Sequence, residues 1–326
     1  MKNNAISLTR IIAMLMIILC HLSSWLGINV LAQFLNVGVE IFLIISGYLY
    51  SNRKIDNPFD FIIQRWKKLC IPMYVVFVIL FFYKILVKNN IDVIKTIPVY
   101  LLNLQGVGFF IGQFQIPTLI EIGPLWFITI IMINYILLIL VKRFERESFW
   151  KSKKKVNVVY IILFVVDCIL AIFGIQIAYF LVFFIGYAIG KLEIKRKKKS
   201  YFILSLGMVL SILIRLIGKI FLDGTIVYNN IIAILTHVVL GLWIYETICL
   251  FYHKRKDFCD KICKERYWHW LEEHSMLIYM THYMFLVGDF NVANLHIAIF
   301  FEVIIFAVCV LVFSKLLKIV LDKLNV

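Results

Sequence analysis

The sequence predicts an all-α integral membrane protein, a bundle of about ten transmembrane helices forming one polytopic domain over residues 1–326. Three observations predict it. Hydrophobic residues make up 63% of the chain and charged residues only 16%, against roughly 45–50% and about 25% in soluble domains. The apolar residues arrive in blocks such as YVVFVILFFY and NVVYIILFVVDCILAIFGI, whose flanks bring each close to the ~20 residues that cross a bilayer as a helix. The blocks are apolar on every face, whereas barrel strands alternate, so helices are the form that satisfies the backbone in lipid.

Read in order, the candidate spans are 5–27, 36–51, 70–88, 124–141, 157–173, 177–190, 201–221, 228–251, 275–290 and 296–320. The first resembles a signal peptide at its start but runs to Gly27 without a small-x-small cleavage site, and is read as a retained span. The net charge of +15 is topological and does not mark a nucleic-acid surface, because the basic residues sit between apolar blocks. The connections 52–69, 142–156, 191–200 and 252–274 carry five, seven, six and six Lys and Arg residues, and Lys95 alone falls on the opposite side. The positive-inside rule then puts both termini in the cytoplasm of a multi-pass cell-membrane protein. The runs at 151–155 and 195–199 are lipid-facing topological signals. The long connection 89–123 is external, and its stretch VIKTIPVYLLNL, too short and Pro-interrupted to span, is expected to re-enter or to lie along the interface. Seven scattered cysteines imply no disulfide framework, and Cys259 and Cys263 with His253 and His269 match no common zinc spacing, so no metal is expected.

Ionisable groups inside spans are costly and mark function by default. Here they are Arg10, His21, Glu40, Asp167, Arg215, His237, Glu246, His282 and Glu302; Lys84, Lys219 and Lys315 lie near span ends and are expected to snorkel. Arg10 and His21 are eleven residues apart, three turns plus about 20°, so one helix face presents both, roughly 16 Å apart. Glu40, at the outer start of the second span, falls at a depth similar to His21, where a carboxylate would orient the imidazole and raise its basicity. The plainer reading is that His21 hydrogen-bonds a neighbouring helix. Arg215 and Glu246 are expected to form a structural pair, with acceptor contact as the alternative.

Arg10 and His21 with ten residues between them, NVGVEIFLIISGYLYS at 36–51, RWKKLCIPMY at 65–74, PLWFI at 124–128 and SMLIYMTHYMFL at 275–286 together resemble the integral membrane acyltransferases of acyltransferase family 3. The resemblance implies transfer of an acyl group, usually acetyl from cytoplasmic acetyl-CoA as co-substrate with no tightly bound cofactor, to a hydroxyl of an envelope glycan or lipid-linked sugar. It implies His21 and Glu40 as catalytic residues. Arg10, Arg65 and Lys68 would hold the phosphates of the coenzyme, although Lys68 stands where the family often shows Arg, which weakens bidentate binding. Ser46, Tyr48, Trp126 and His282 are candidate substrate-binding residues, with Trp126 also readable as an interface anchor and His282 as a satisfied bundle histidine. Whether His21 acts as base or carries the acyl group itself stays open at this stage. The rival class is a secondary transporter or polysaccharide-export permease, whose paired broken spans in matching halves are not found in the sequence.

Overall fold

In the computed structural model, which describes residues 4–112, 115–192 and 198–324, the chain is a bundle of helices, and its single β-type pairing among those residues is an isolated bridge between Ile111 and Ile175. The principal helices are α1 (Asn4–Trp25), α2 (Asn29–Leu35), α3 (Gly38–Ser51), α4 (Pro58–Leu86), α5 (Trp126–Phe144), α6 (Lys153–Ile172), α7 (Ala178–Lys191), α8 (Lys198–Leu222), α9 (Ala233–Lys254), α10 (Lys256–Lys264), α11 (Arg266–Thr281) and α12 (Ile299–Lys323). Residues 195–197 of the basic run 195–199 lie outside the described residues.

Eight segments among the described residues are long and apolar enough to cross a membrane, α2 and α3 counting together as Asn29–Ser51. The other two expected spans are shorter helices. α7 has 14 residues, and its first turn is closed by Asp167, whose carboxylate accepts the Ile177 N–H at 2.9 Å. α11 ends at Thr281 and unwinds into a 3₁₀ turn, His282–Phe285. Irregular backbone is tolerated at membrane depth where protein surrounds it; here His282 and Met284 are buried.

The third expected span begins well before residue 70. Asn57 starts α4 by accepting the Phe59 and Asp60 N–H groups at 3.0 and 3.3 Å, and Pro58 fills the first helical position, where no donor is needed. Much of the 52–69 connection is therefore helix, and Arg65 and Lys68 ride on the same rod as the span itself.

Glycines set the closest helix contact, between α3 and α7. A Cβ on Gly47 would stand 1.9 Å from the Phe183 carbonyl oxygen, one on Gly186 would stand 2.0 Å from that of Ile44, and one on Gly190 would stand 2.0 Å from Ser51 Oγ. Small residues let two backbones touch where lipid supplies no hydrophobic push. Gly38 also brings α3 close to α1, at the level of Ala13 and Ile17.

The described residues of the long connection 89–123 fold inward as short turns at Ile91–Thr96, Ile97–Leu101 and Val107–Phe110. The Tyr100 ring stacks on Phe77 at 4.5 Å, and its hydroxyl accepts the Leu119 N–H at 3.1 Å. The Gln105 amide donates to Leu125 O at 3.2 Å, and the Gly106 N–H donates to Thr129 Oγ1 at 3.0 Å. The stretch around VIKTIPVYLLNL is thereby stitched to α4 and α5 as a roof over the bundle interior.

Candidate active site

Two sites lie along the Arg10–His21 face of α1. At the end carrying the basic connections, the half-buried Arg65 guanidinium rests over the rings of Tyr50 and Phe61 at 5.7 and 5.6 Å, and its Nε has no hydrogen-bond partner. Lys68, exposed, lies within electrostatic reach of Arg65, Arg10 and Lys318. Tyr135, hydrogen-bonded to Ser46, feels Arg65 and Arg10 as well. The structure therefore brings together the three basic residues singled out in the sequence, and crowding of like charges makes this corner a receptive place for a polyanion.

Three turns further along, α1 presents His21 to a cavity of about 450 Å³, within the range typical of small-molecule sites. Its wall combines Asn36, Tyr100, Gln105, Trp126, Tyr179, Tyr279 and Tyr283, so the roof segment and four helical elements converge on it. The His21 ring lies 4.6 Å from that of Tyr283, edge on, and 5.2 Å from that of His282. His282 is fully buried; its Nδ1 donates to the Tyr279 carbonyl at 2.7 Å, which leaves Nε2 as a bare acceptor, and that atom has no partner. The Tyr279 hydroxyl in turn donates to Pro124 O at 2.5 Å, tying α11 to the PLWF turn.

Several expected positions change. Glu40 does not pair with His21; its Oε1 faces His237 Nδ1 at 3.3 Å. The reason is depth. Helix begins at Asn29, not 36, so Glu40 sits eleven residues into that span, in the first turn of α3 beyond Gly38, which already packs beside Ala13 and Ile17. Glu40 still acts electrostatically on Cys20 and Tyr179, so it stands behind the cavity wall. His282 does not line the cavity as a substrate contact; it backs His21. Ser46 belongs to the basic end through Tyr135, and Tyr48 packs on Tyr245 at 6.2 Å, so neither reaches the His21 cavity. Trp126 does line it, stacked on Phe109 at 4.5 Å and tilted against Tyr179 at 5.1 Å. Arg215 lies over the Phe34 ring at 5.3 Å. Lys84 does not snorkel: it bridges the buried Glu121 at 2.5 Å and Asp289 at 2.8 Å.

Sequence reading missed Tyr100, Gln105, Tyr179, Tyr279 and Tyr283 as cavity residues. Tyr279 lies one turn before His282 and Tyr283 directly follows it, a spacing that was legible; Tyr100 and Gln105 depend on how the roof folds, which periodicity does not encode. A second cavity, of about 380 Å³ between α6, α7 and α9, is almost wholly apolar. It lies away from Arg10 and His21, and its one carboxylate, Asp167, is engaged at the start of α7.

Compared with protein families, the sequence matches acyltransferase family 3, described as an acyltransferase domain, over residues 3–321. No curated protein and no solved structure matches it significantly.

Proposed function

Because the chain belongs to acyltransferase family 3, and so is a multi-pass membrane acyltransferase, we propose that it moves an acetyl group from cytoplasmic acetyl-CoA to a hydroxyl of an envelope sugar or lipid-linked glycan in the cell membrane, with both termini in the cytoplasm. One observation carries the reading: the cation cluster and the His21 cavity occupy one face of α1, about 16 Å apart along its axis. A nucleotide held at Arg10, Arg65 and Lys68 would leave an extended thioester arm to reach the cavity. The acceptor hydroxyl enters from the opposite side, beneath the roof formed by residues 89–123.

His21 is the base in this reading. It takes the hydroxyl proton as oxygen attacks the thioester carbonyl; the C–S bond breaks, and the same proton passes to the departing thiolate. His282 would give the base a fixed orientation: its Nε2 is an unpartnered acceptor on a ring 5.2 Å from that of His21, and a His21 N–H turned onto it would leave the other His21 nitrogen bare for the hydroxyl. Tyr283 lines the cavity, where its hydroxyl would donate to the developing oxyanion. Ser46 serves the donor end through Tyr135. The transporter alternative would need neither an acyl donor nor a base placed at the cavity.

The test is incorporation of label from acetyl-CoA into envelope glycan by membranes holding equal amounts of wild type and His21→Ala. A general base contributes roughly 10² to 10⁴-fold, so the variant should lose at least that much without rescue by more coenzyme. Equal incorporation removes His21 from the chemistry, and label-independent movement of glycan would favour transport.

A further inference from the structure

The span Asn29–Ser51 is broken between α2 and α3 at Asn36–Val37, and the break is filled from outside by one side chain. His237 of α9 places Nε2 2.8 Å from the Gln33 carbonyl oxygen, on one side of the kink, and Nδ1 3.3 Å from Glu40 Oε1 on the other. Inserted side chains are a recognised cause of helix kinks. Gly241, one turn beyond His237, lets α9 come this near: a Cβ there would meet Val37 Cγ2 at 3.2 Å and Glu40 Cβ at 3.3 Å.

Both atoms facing the His237 ring are acceptors. A neutral imidazole owns one N–H, and the Gln33 carbonyl claims it at Nε2. Nδ1 then directs a lone pair at a carboxylate oxygen, with no hydrogen between them unless a further proton is present. Glu40 is 2% exposed and His237 7%, so water does not relieve the conflict, and two buried acceptors in contact are strongly unfavourable. The second Glu40 oxygen, Oε2, has no hydrogen-bond partner among the described residues.

We propose that Glu40 and His237 hold one proton between them and act as an uncharged splint across the α2–α3 kink. His237 is thus a positioning residue. The kink carries Asn36 and Val39, which form the cavity wall facing His21, and the shared proton removes a bare carboxylate from behind that wall, where its charge would act on Cys20 and Tyr179.

The protonation can be read on full-length protein in bilayers without any assay of transfer, so its outcome is independent of the acyltransferase reading. Infrared spectroscopy should show a protonated carboxyl band that Glu40→Gln abolishes, or ¹⁵N-histidine NMR should show an imidazolium, protonated at both nitrogens, that His237→Asn abolishes. Either result supports the shared proton; an ionised Glu40 facing a neutral His237 overturns it. Variants give a second reading. The amide of Glu40→Gln supplies an N–H to Nδ1 without any extra proton, so it should retain more transfer activity than Glu40→Ala and His237→Phe, each expected to lose roughly tenfold or more. Equal losses in Glu40→Gln and Glu40→Ala would overturn the splint.

Discussion

Replacing Gly47 by alanine would set a methyl carbon 1.9 Å from the Phe183 carbonyl oxygen and 2.8 Å from the Tyr187 nitrogen, where ordinary contact begins at 3.4 Å. Both obstacles are backbone, so no side chain can swing aside, and α3 and α7 must part by roughly 1.5 Å. That displacement also opens the reciprocal contacts at Gly186 and Gly190 and moves Tyr179, one wall of the His21 cavity. Overpacking of this kind costs about 1–3 kcal/mol, and the upper end applies because two rigid helices are involved. Gly207, in α8, is the matched control. An added Cβ there meets nothing within 4 Å, and relief of glycine's conformational freedom should stabilise by about 0.5–1 kcal/mol. The assay is thermal inactivation of the two purified variants beside wild type, followed by acyl transfer at a temperature where all three remain folded. Gly47→Ala should inactivate at lower temperature and transfer more slowly even when folded, while Gly207→Ala should match or exceed wild type. If Gly47→Ala proves as stable and as active as Gly207→Ala, the close α3–α7 contact is wrong.

Other expectations concern the two ends of the site. Arg10→Ala and Arg65→Ala should each weaken acetyl-CoA binding to purified protein, and the weakening should shrink as salt is raised; unchanged affinity in both would remove the cluster from donor binding. Removing one partner of a buried ion pair typically costs about 3–5 kcal/mol. Glu121→Ala should fall at the lower end, since Lys84 keeps Asp289, and a thermal midpoint equal to wild type would refute the brace. At the other end the Asn4 amide and Tyr252 hydroxyl both donate to Asp260 Oδ1 at 2.8 Å and hold its carboxyl below the usual aspartate range. A depressed carboxyl contributes stability above its ordinary pKa and loses it as pH falls through the native one. Protection from hydrogen exchange in the first turn of α1, taken relative to the intrinsic rate at each pH, should therefore fall on acidification in wild type and not in Asp260→Asn.

The helices were legible because apolar blocks and basic connections are one-dimensional signals, and the structure keeps the all-α bundle they predict. The Arg10–His21 face was legible too, since helix geometry fixes the angle between positions eleven apart. What failed was depth across a turn. Placing Glu40 beside His21 assumed that residues 28–35 were a loop; Asn29–Leu35 is helix, and the carboxylate is carried past His21 to a histidine about two hundred residues away in sequence. Lys84 looked like a snorkelling end residue because its two acids, Glu121 and Asp289, come from the 89–123 connection and from the end of a distant expected span. Pairings of this kind depend on tertiary assembly, and no local periodicity encodes them. The role of Gly47 was legible only as part of a motif; its physical reason, contact with the Phe183 carbonyl, required α7 to be in place.

The glycine contact between α3 and α7 also bears on biosynthesis. Gly47 leaves the ribosome about 140 residues ahead of Gly186, and at roughly 5–20 residues per second the first face waits on the order of 7–30 s for the second. Throughout that interval α3 lacks the partner of its glycine face, and Glu40 lacks His237, which emerges later still. The nascent chain therefore depends on whatever shields early helices in the membrane, and slowed elongation across residues 52–180 should lengthen its exposure to quality-control proteases.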